Sequence, residues 1–240
     1  MDRYKAIKIV GDEILKDGLV EALFLKGSIA RGVDDDYSDV DMYAAVTPEN
    51  REEFLGNRIQ YMEKYLPMIY YTESNFVGPQ IVGVFEDLLH FDLYTVDADN
   101  IPQTDNIKVI YDKAGILATY TPAPLGYSDN QLAKMVDSFA FTMLEYYIAH
   151  SRGDAVWAAR LFSHQAAVVG VVARHVYDKD TAQLGLKGLG KILPPGLYQK
   201  LQAAQNMATL AKLLDELVPN EIRINTNQKF FQKMLEEVGK

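Results

Sequence analysis

The chain has no cysteine. Disulfides and thiolate metal sites are therefore excluded. It has only four histidines. None of them, at positions 90, 150, 164 and 175, has a second ligand at metal spacing, so all four read as structural or surface residues. Long apolar runs are also missing. The purest small-apolar stretch, 166–173, is far short of the ~20 residues a membrane helix needs. The N-terminus (Met1, Asp2, Arg3, Tyr4, Lys5, Ala6) lacks the apolar segment of a signal peptide. Positive charge is scarce: 24 Lys and Arg stand against 33 Asp and Glu, a formal net charge of −9. That argues against long nucleic acid, whose phosphates need a basic surface. An acidic protein suits a small cationic partner better. These absences together lead us to expect a cytoplasmic protein with no membrane and no long nucleic acid among its partners.

What remains is enough for a sizeable core. Hydrophobic residues make up 48% and charged residues 24%, ordinary proportions for a globular chain. A length of 240 residues fits one large domain or two small ones.

The two halves differ in texture. Tyr4, Ile7, Val10, Ile14 and Leu15 recur at helical spacing, and Gly18 is a stop. Strand-like runs follow at 19–26, 40–46, 68–72, 80–85, 89–96 and 107–111. Between the first pair of runs and the rest, Thr47 and Pro48 cap a helix that turns Phe54, Leu55, Ile59, Met62 and Leu66 inward. Helices mixed with strands over short links predict a mixed sheet with helices packed on it. Pro122 and Pro124 suppress both helix and sheet and mark a linker. Beyond them the spacing predicts helices near 129–151, 154–177, 195–205, 206–217 and 226–238. The expected class is α+β. A sheet-containing domain spans 1–120, and a helical bundle spans 121–240.

One segment carries chemistry. Gly27 and Ser28 end an apolar strand. Glycine there lets backbone N–H groups approach an anion, and the serine adds a hydroxyl donor. If a helix begins at Ser28, its N-terminus also favours phosphate. Arg31, one turn on, is placed to reach a triphosphate. Asp39 and Asp41 stand two apart at the opening of the next strand, so both point to one face. Such a pair repels itself unless a cation lies between. Hard oxygen donors with few other contacts suit Mg²⁺, which keeps waters and shares substrate phosphates. Val40 between them faces the core. Asp92, flanked by Phe91 and Leu93, is costly to bury unpaired. A strand laid beside Asp39 and Asp41 explains it and completes a three-carboxylate site for two metals ~3.5–4 Å apart. Asp34, Asp35 and Asp36 read as a solvated loop.

The order Gly-Ser, Asp-x-Asp, distal Asp resembles the DNA polymerase β-like nucleotidyltransferase superfamily. Gly27 to Gly32, then Tyr37, Ser38, Asp39, Val40 and Asp41, are most similar to its aminoglycoside nucleotidyltransferase-like members. The turn carrying Arg152, Gly153, Asp154 and Trp157 resembles a hairpin of the same group, as do Tyr111 to Gly115. Physically, Gly153 ends one helix, Asp154 caps the next and Trp157 anchors the pair. The likeness is specific in 24–43, 90–94 and 149–160. It implies that Asp39, Asp41 and Asp92 bind two Mg²⁺ ions and that Gly27 and Ser28 hold nucleotide phosphates. It also implies transfer of AMP from ATP to a hydroxyl of a small molecule, such as an aminoglycoside-like antibiotic, and a possible homodimer. The alternatives are AMP transfer to a protein, as in antitoxin-like members, and a non-catalytic nucleotide-binding protein that kept the fold. Within helix 129–151, apolar nearly all round and so expected to be buried or to line a cleft, Glu145 is the central acid. It is a candidate general base, and the family permits that role; the bland alternative is a salt bridge to Arg152 or Arg160. Tyr43, Tyr94, Tyr146 and Tyr147 are candidates for stacking on a base or sugar.

Overall fold

The structure is a computed structural model that describes residues 1–239. The chain divides after Ala123 into two compact units. The first opens with α1 (Arg3–Lys16), whose N-terminus is capped by the Asp2 carboxylate accepting from the Lys5 amide at 3.0 Å. Then come β1 (Val20–Leu25), α2 (Gly27–Arg31), β2 (Val40–Val46), α3 (Pro48–Met62), β3 (Met68–Asn75), β4 (Pro79–Phe85), β5 (His90–Asp97) and β6 (Lys108–Asp112). The strands form one mixed sheet in the order β3-β4-β5-β2-β1-β6. Only the central pair, β2 and β5, is parallel.

Period-two alternation decides what each side of the sheet carries. Val40, Met42 and Ala44 of β2 and Phe91 and Leu93 of β5 join Val10, Ile14, Phe54 and Met62 of α1 and α3 in the main core. The intervening residues Tyr43, Ala45, Tyr94 and Val96 face the other way, into a smaller cluster with Phe24 and Leu117. Phe91 is fully buried, and truncation to Ala there costs about 3–5 kcal/mol.

Three sequence expectations change. Tyr4 is 49% exposed rather than inward, and its hydroxyl donates to Asp34 at 2.9 Å. Asp34 also accepts from Arg3 Nε at 2.9 Å, so it is tied to α1 and is not a solvated loop residue; Asp35 and Asp36 are exposed. The expected anion-favouring helix at Ser28 is the five-residue α2, too short to sum an appreciable dipole.

The second unit is helical. α4 (Asp129–Ser151) begins with a reciprocal Ser128–Gln131 capping box. Gly153, at φ +74°, takes the chain round, and the Asp154 carboxylate accepts from the Trp157 amide to start α5 (Ala155–Tyr177). Two 3₁₀ turns (Lys179–Leu184 and Leu189–Lys191) lead to α6 (Pro195–Gln202), α7 (Met207–Leu217), α8 (Asn220–Arg223) and α9 (Gln228–Val238). Phe139, Met143, Val169, Val172, Leu210, Leu214 and Phe231 make the core. Trp157, expected to anchor the hairpin, is 48% exposed. The α4 flank carrying Phe141, Tyr147 and Ile148 is exposed as well, so α4 is not buried all round. α5 is long and apolar enough to cross a membrane by length and composition. It nevertheless buries Gln165 and Arg174, and packs Val169 and Val172 into the bundle.

Candidate active site

The parallel register sets Asp41 of β2 directly beside Asp92 of β5. Their backbones are therefore one strand spacing, ~4.8 Å, apart. Both acids lie on the sheet face away from α1 and α3. Asp39, two residues before Asp41, points to that face too. The His90 imidazole ties the group together. One ring nitrogen is 3.0 Å from Asp92 Oδ1 and the other is 3.9 Å from Asp39 Oδ2. Asp92 is 7% exposed, a burial that an ionised carboxylate tolerates only with partners. The hydrogen bond that His90 donates to Asp92, assisted by the charges of Asp92, Asp39 and Asp41 against the opposing effect of burial, holds the His90 pKa above its usual value. Alternation with Asp92 was the available signal for His90; the absence of a second ligand at metal spacing hid it.

Gly27 closes one side. It has φ +70°, and a Cβ built there would fall 2.2 Å from Asp41 Oδ2. Only glycine lets the turn lie this close to the carboxylate. The Lys26 amide donates to the Asp41 carbonyl at 3.0 Å, which locks the turn to β2. Next to it, the Ser28 hydroxyl oxygen is buried and has no hydrogen-bond partner. A buried orphan hydroxyl costs free energy unless something completes it.

Behind the turn, the buried Lys26 ammonium donates to the Pro102 and Thr104 carbonyls at 2.7 Å each. It lies over the rings of Tyr43 and Tyr120. Burial lowers its pKa to about 8. The Tyr120 hydroxyl donates into the same loop, at 2.8 Å to the Asp105 carbonyl. Arg31 is ion-paired with Asp105. Asp105 sits at φ +65°, a strained conformation for a residue with a side chain. Nothing in the sequence pattern marks Lys26, Asp105 or Tyr120, because their link is a loop some 75 residues downstream of the turn.

Tyr43 and Tyr94 are buried and stack on each other at 4.3 Å, which leaves neither face open for a base. Burial, the largest cause for each, raises both phenol pKa values. Tyr146 stacks on His150. Glu145 lies on α4 in the second unit, half-buried. Among the described residues no ion pair reaches it, so the alternative reading, a bridge to Arg152 or Arg160, is not formed.

Among the described residues, no group of three or more His, Cys, Asp or Glu side chains is placed so that it could hold a metal ion. The donor chemistry nevertheless fits Mg²⁺. Asp39, Asp41 and Asp92 offer only hard carboxylate oxygens from adjacent strands, and Mg²⁺ completes its shell from water and phosphate rather than from protein alone.

No protein-family model matches the chain, and no curated protein sequence matches it. Two solved structures align with it over nearly their whole lengths. An aminoglycoside 6-adenyltransferase from Bacillus subtilis gives 12% identity and a TM-score of 0.37, over 98% of this chain and 99% of that one. A spectinomycin adenyltransferase from Enterococcus faecialis, solved with ATP and spectinomycin, gives 13% and 0.38, over 99% of each. At this level of likeness the chemistry of the site stands on its own geometry.

Proposed function

We propose that the chain is a Mg²⁺-dependent nucleotidyltransferase that moves AMP from ATP to a hydroxyl of a small molecule. The observation that carries this is the pairing of Asp41 with Asp92 across β2 and β5, with Asp39 joined through His90 and Gly27 pressed against Asp41. Carboxylates on paired strands, beside an orphan hydroxyl on a glycine turn, suit a metal–triphosphate better than an apolar ligand. The choice of ATP rests on the resemblance of the segments around Gly27 and Asp39.

In this reading Asp39, Asp41 and Asp92 hold two Mg²⁺ ions, which supply charge neutralisation at the phosphates and at the attacking oxygen. Ser28 donates its hydroxyl to a phosphate oxygen and gains the partner it lacks. Gly27 lets the turn that carries Ser28 lie against Asp41. Arg31, steadied by Asp105, gives its remaining guanidinium donors to the triphosphate. Attack in line at the α-phosphorus makes one P–O bond and breaks the bond to pyrophosphate; the protein supplies positioning and charge. Glu145 accepts the acceptor's hydroxyl proton. The first unit is the catalytic domain and the second binds the acceptor, an aminoglycoside-like polyhydroxylated amine whose charge suits the chain's acidity.

The test is a mass-spectrometric screen. The full chain is incubated with ATP, Mg²⁺ and a panel of hydroxylated amines and neutral sugars. An adenylyl adduct on an amine is the expected result. Adducts on neutral sugars alone, or no adduct across the panel, would count against the reading.

A further inference from the structure

The Lys26 side chain runs into the interior directly before the Gly27–Ser28 turn and is 5% exposed. Among the described residues no carboxylate pairs with its ammonium; the Pro102 and Thr104 carbonyls accept from it instead. A buried charge without an ion partner is expensive, and an apolar side chain of similar length would fill the same space at lower cost. The position therefore calls for directed donors rather than for bulk. What they direct is the backbone of loop 102–105. The Pro102, Thr104 and Asp105 carbonyls also converge on the Tyr120 hydroxyl, at 3.2, 2.9 and 2.8 Å. Two further bonds fasten the loop to Ala123. The Asp105 amide donates to the Ala123 carbonyl at 2.9 Å, and the Ala123 amide donates to the Gln103 carbonyl at 2.6 Å. Held in this way, Asp105 keeps its left-handed backbone, and its carboxylate pairs with Arg31. The Arg31 side chain stays 16% exposed, so it is steadied without being sealed off.

We infer that Lys26 and Tyr120 are positioning residues for Arg31: they brace loop 102–105 so that Asp105 presents the guanidinium to the triphosphate, an assignment that rests on the proposed function. Neither residue touches the nucleotide. Their effect is that Arg31 is ordered before ATP arrives. Immobilising a long side chain at the moment of binding weakens affinity by about two- to tenfold, and the brace removes that cost.

Calorimetric titration of the full chain with ATP and Mg²⁺ tests this in the wild type, in Lys26→Met, Tyr120→Phe and Arg31→Gln, and in each brace variant combined with Arg31→Gln. Arg31→Gln is expected to weaken binding about tenfold or more, the value of a hydrogen bond between charged groups. Lys26→Met, apolar and of similar length, should weaken it about two- to tenfold. Tyr120→Phe keeps the ring, removes only the hydroxyl and should act in the same direction. Neither should weaken binding further once Arg31 is Gln, because the brace acts only through that guanidinium. A general loss of structure, or the loss of a positive charge near the site, would instead lower affinity by the same factor in both backgrounds. Wild-type affinity in Lys26→Met, or an equal loss with and without Arg31, would therefore overturn the inference. If Lys26→Met does not fold, Tyr120→Phe decides by the same two criteria. A wild type that does not bind Mg²⁺–ATP, or an Arg31→Gln that binds it as the wild type does, would overturn the assignment of Arg31 itself and the brace with it.

Discussion

At the residue scale the site depends on what two small residues permit. Gly27 occupies a left-handed conformation and lies where any Cβ would strike the Asp41 carboxylate. Gly27→Ala therefore meets two penalties: left-handed strain of about 1–2 kcal/mol, and displacement of Asp41. Thermal denaturation should show that modest loss, while turnover falls by on the order of 10²-fold, the cost of a ~1 Å misplacement. Retained turnover would mean that Asp41 can move without consequence. Ser28 makes a different prediction. Its hydroxyl has no partner in the free protein, so Ser28→Ala should leave stability unchanged or slightly raised. The KM for ATP should rise about tenfold or more, the value of one hydrogen bond to a charged group. Lower stability with unchanged KM would make Ser28 a structural residue. A glycine and a serine at the end of a strand are usually only a turn; the sequence made both residues legible through their order before Asp39, Asp41 and Asp92. It concealed Asp34 and His90. Their partners are Arg3, far off in the chain, and carboxylates that a metal was expected to neutralise.

At the element scale, alternation in β2 and β5 made the strands and their two faces readable, and the parallel register then put Asp41 beside Asp92. The capping chemistry was equally readable at Asp154, where side chain and backbone act within one turn. Short elements were not. α8 has four residues, and the 3₁₀ turns between α5 and α6 have little periodicity to detect. Apolar content on α4 left burial and a cleft wall as two readings, and the exposure of Phe141, Tyr147 and Ile148 excludes burial all round. Glu145 lies in this helix. Glu145→Gln keeps its size and removes its charge, so folding should survive. With a verified acceptor, kcat should fall ~10²–10⁴-fold, the usual share of a general base, while ATP affinity changes little. Unchanged kcat would take the proton acceptor's role away from Glu145.

At the scale of the whole molecule, buried phenols set the alkaline limit of stability. Tyr61, whose hydroxyl donates to Asp17 at 2.6 Å, has a pKa raised chiefly by burial. Tyr120, held by loop carbonyls, is raised from 10.0 to about 12 by the same cause. A phenol that ionises at 10 in the unfolded chain and later in the folded one keeps its proton longer when folded. Its contribution is fully present below pH 10 and is lost as pH climbs to 12 and beyond. Urea midpoints should therefore decline from pH 10 upward, and less steeply in Tyr61→Phe. Identical slopes in the two proteins would remove Tyr61 from the account. The central claim, that Asp39, Asp41 and Asp92 hold a metal–nucleotide complex, can be tested without knowing the acceptor. The most direct measurement is the affinity for ATP with Mg²⁺ and with a chelator, in the wild type and in Asp41→Asn. The account predicts that Mg²⁺ tightens binding at least about tenfold in the wild type, 1.4 kcal/mol or more, and has no effect in a folded Asp41→Asn. Binding that ignores Mg²⁺, or a Mg²⁺ effect that survives in Asp41→Asn, would contradict it.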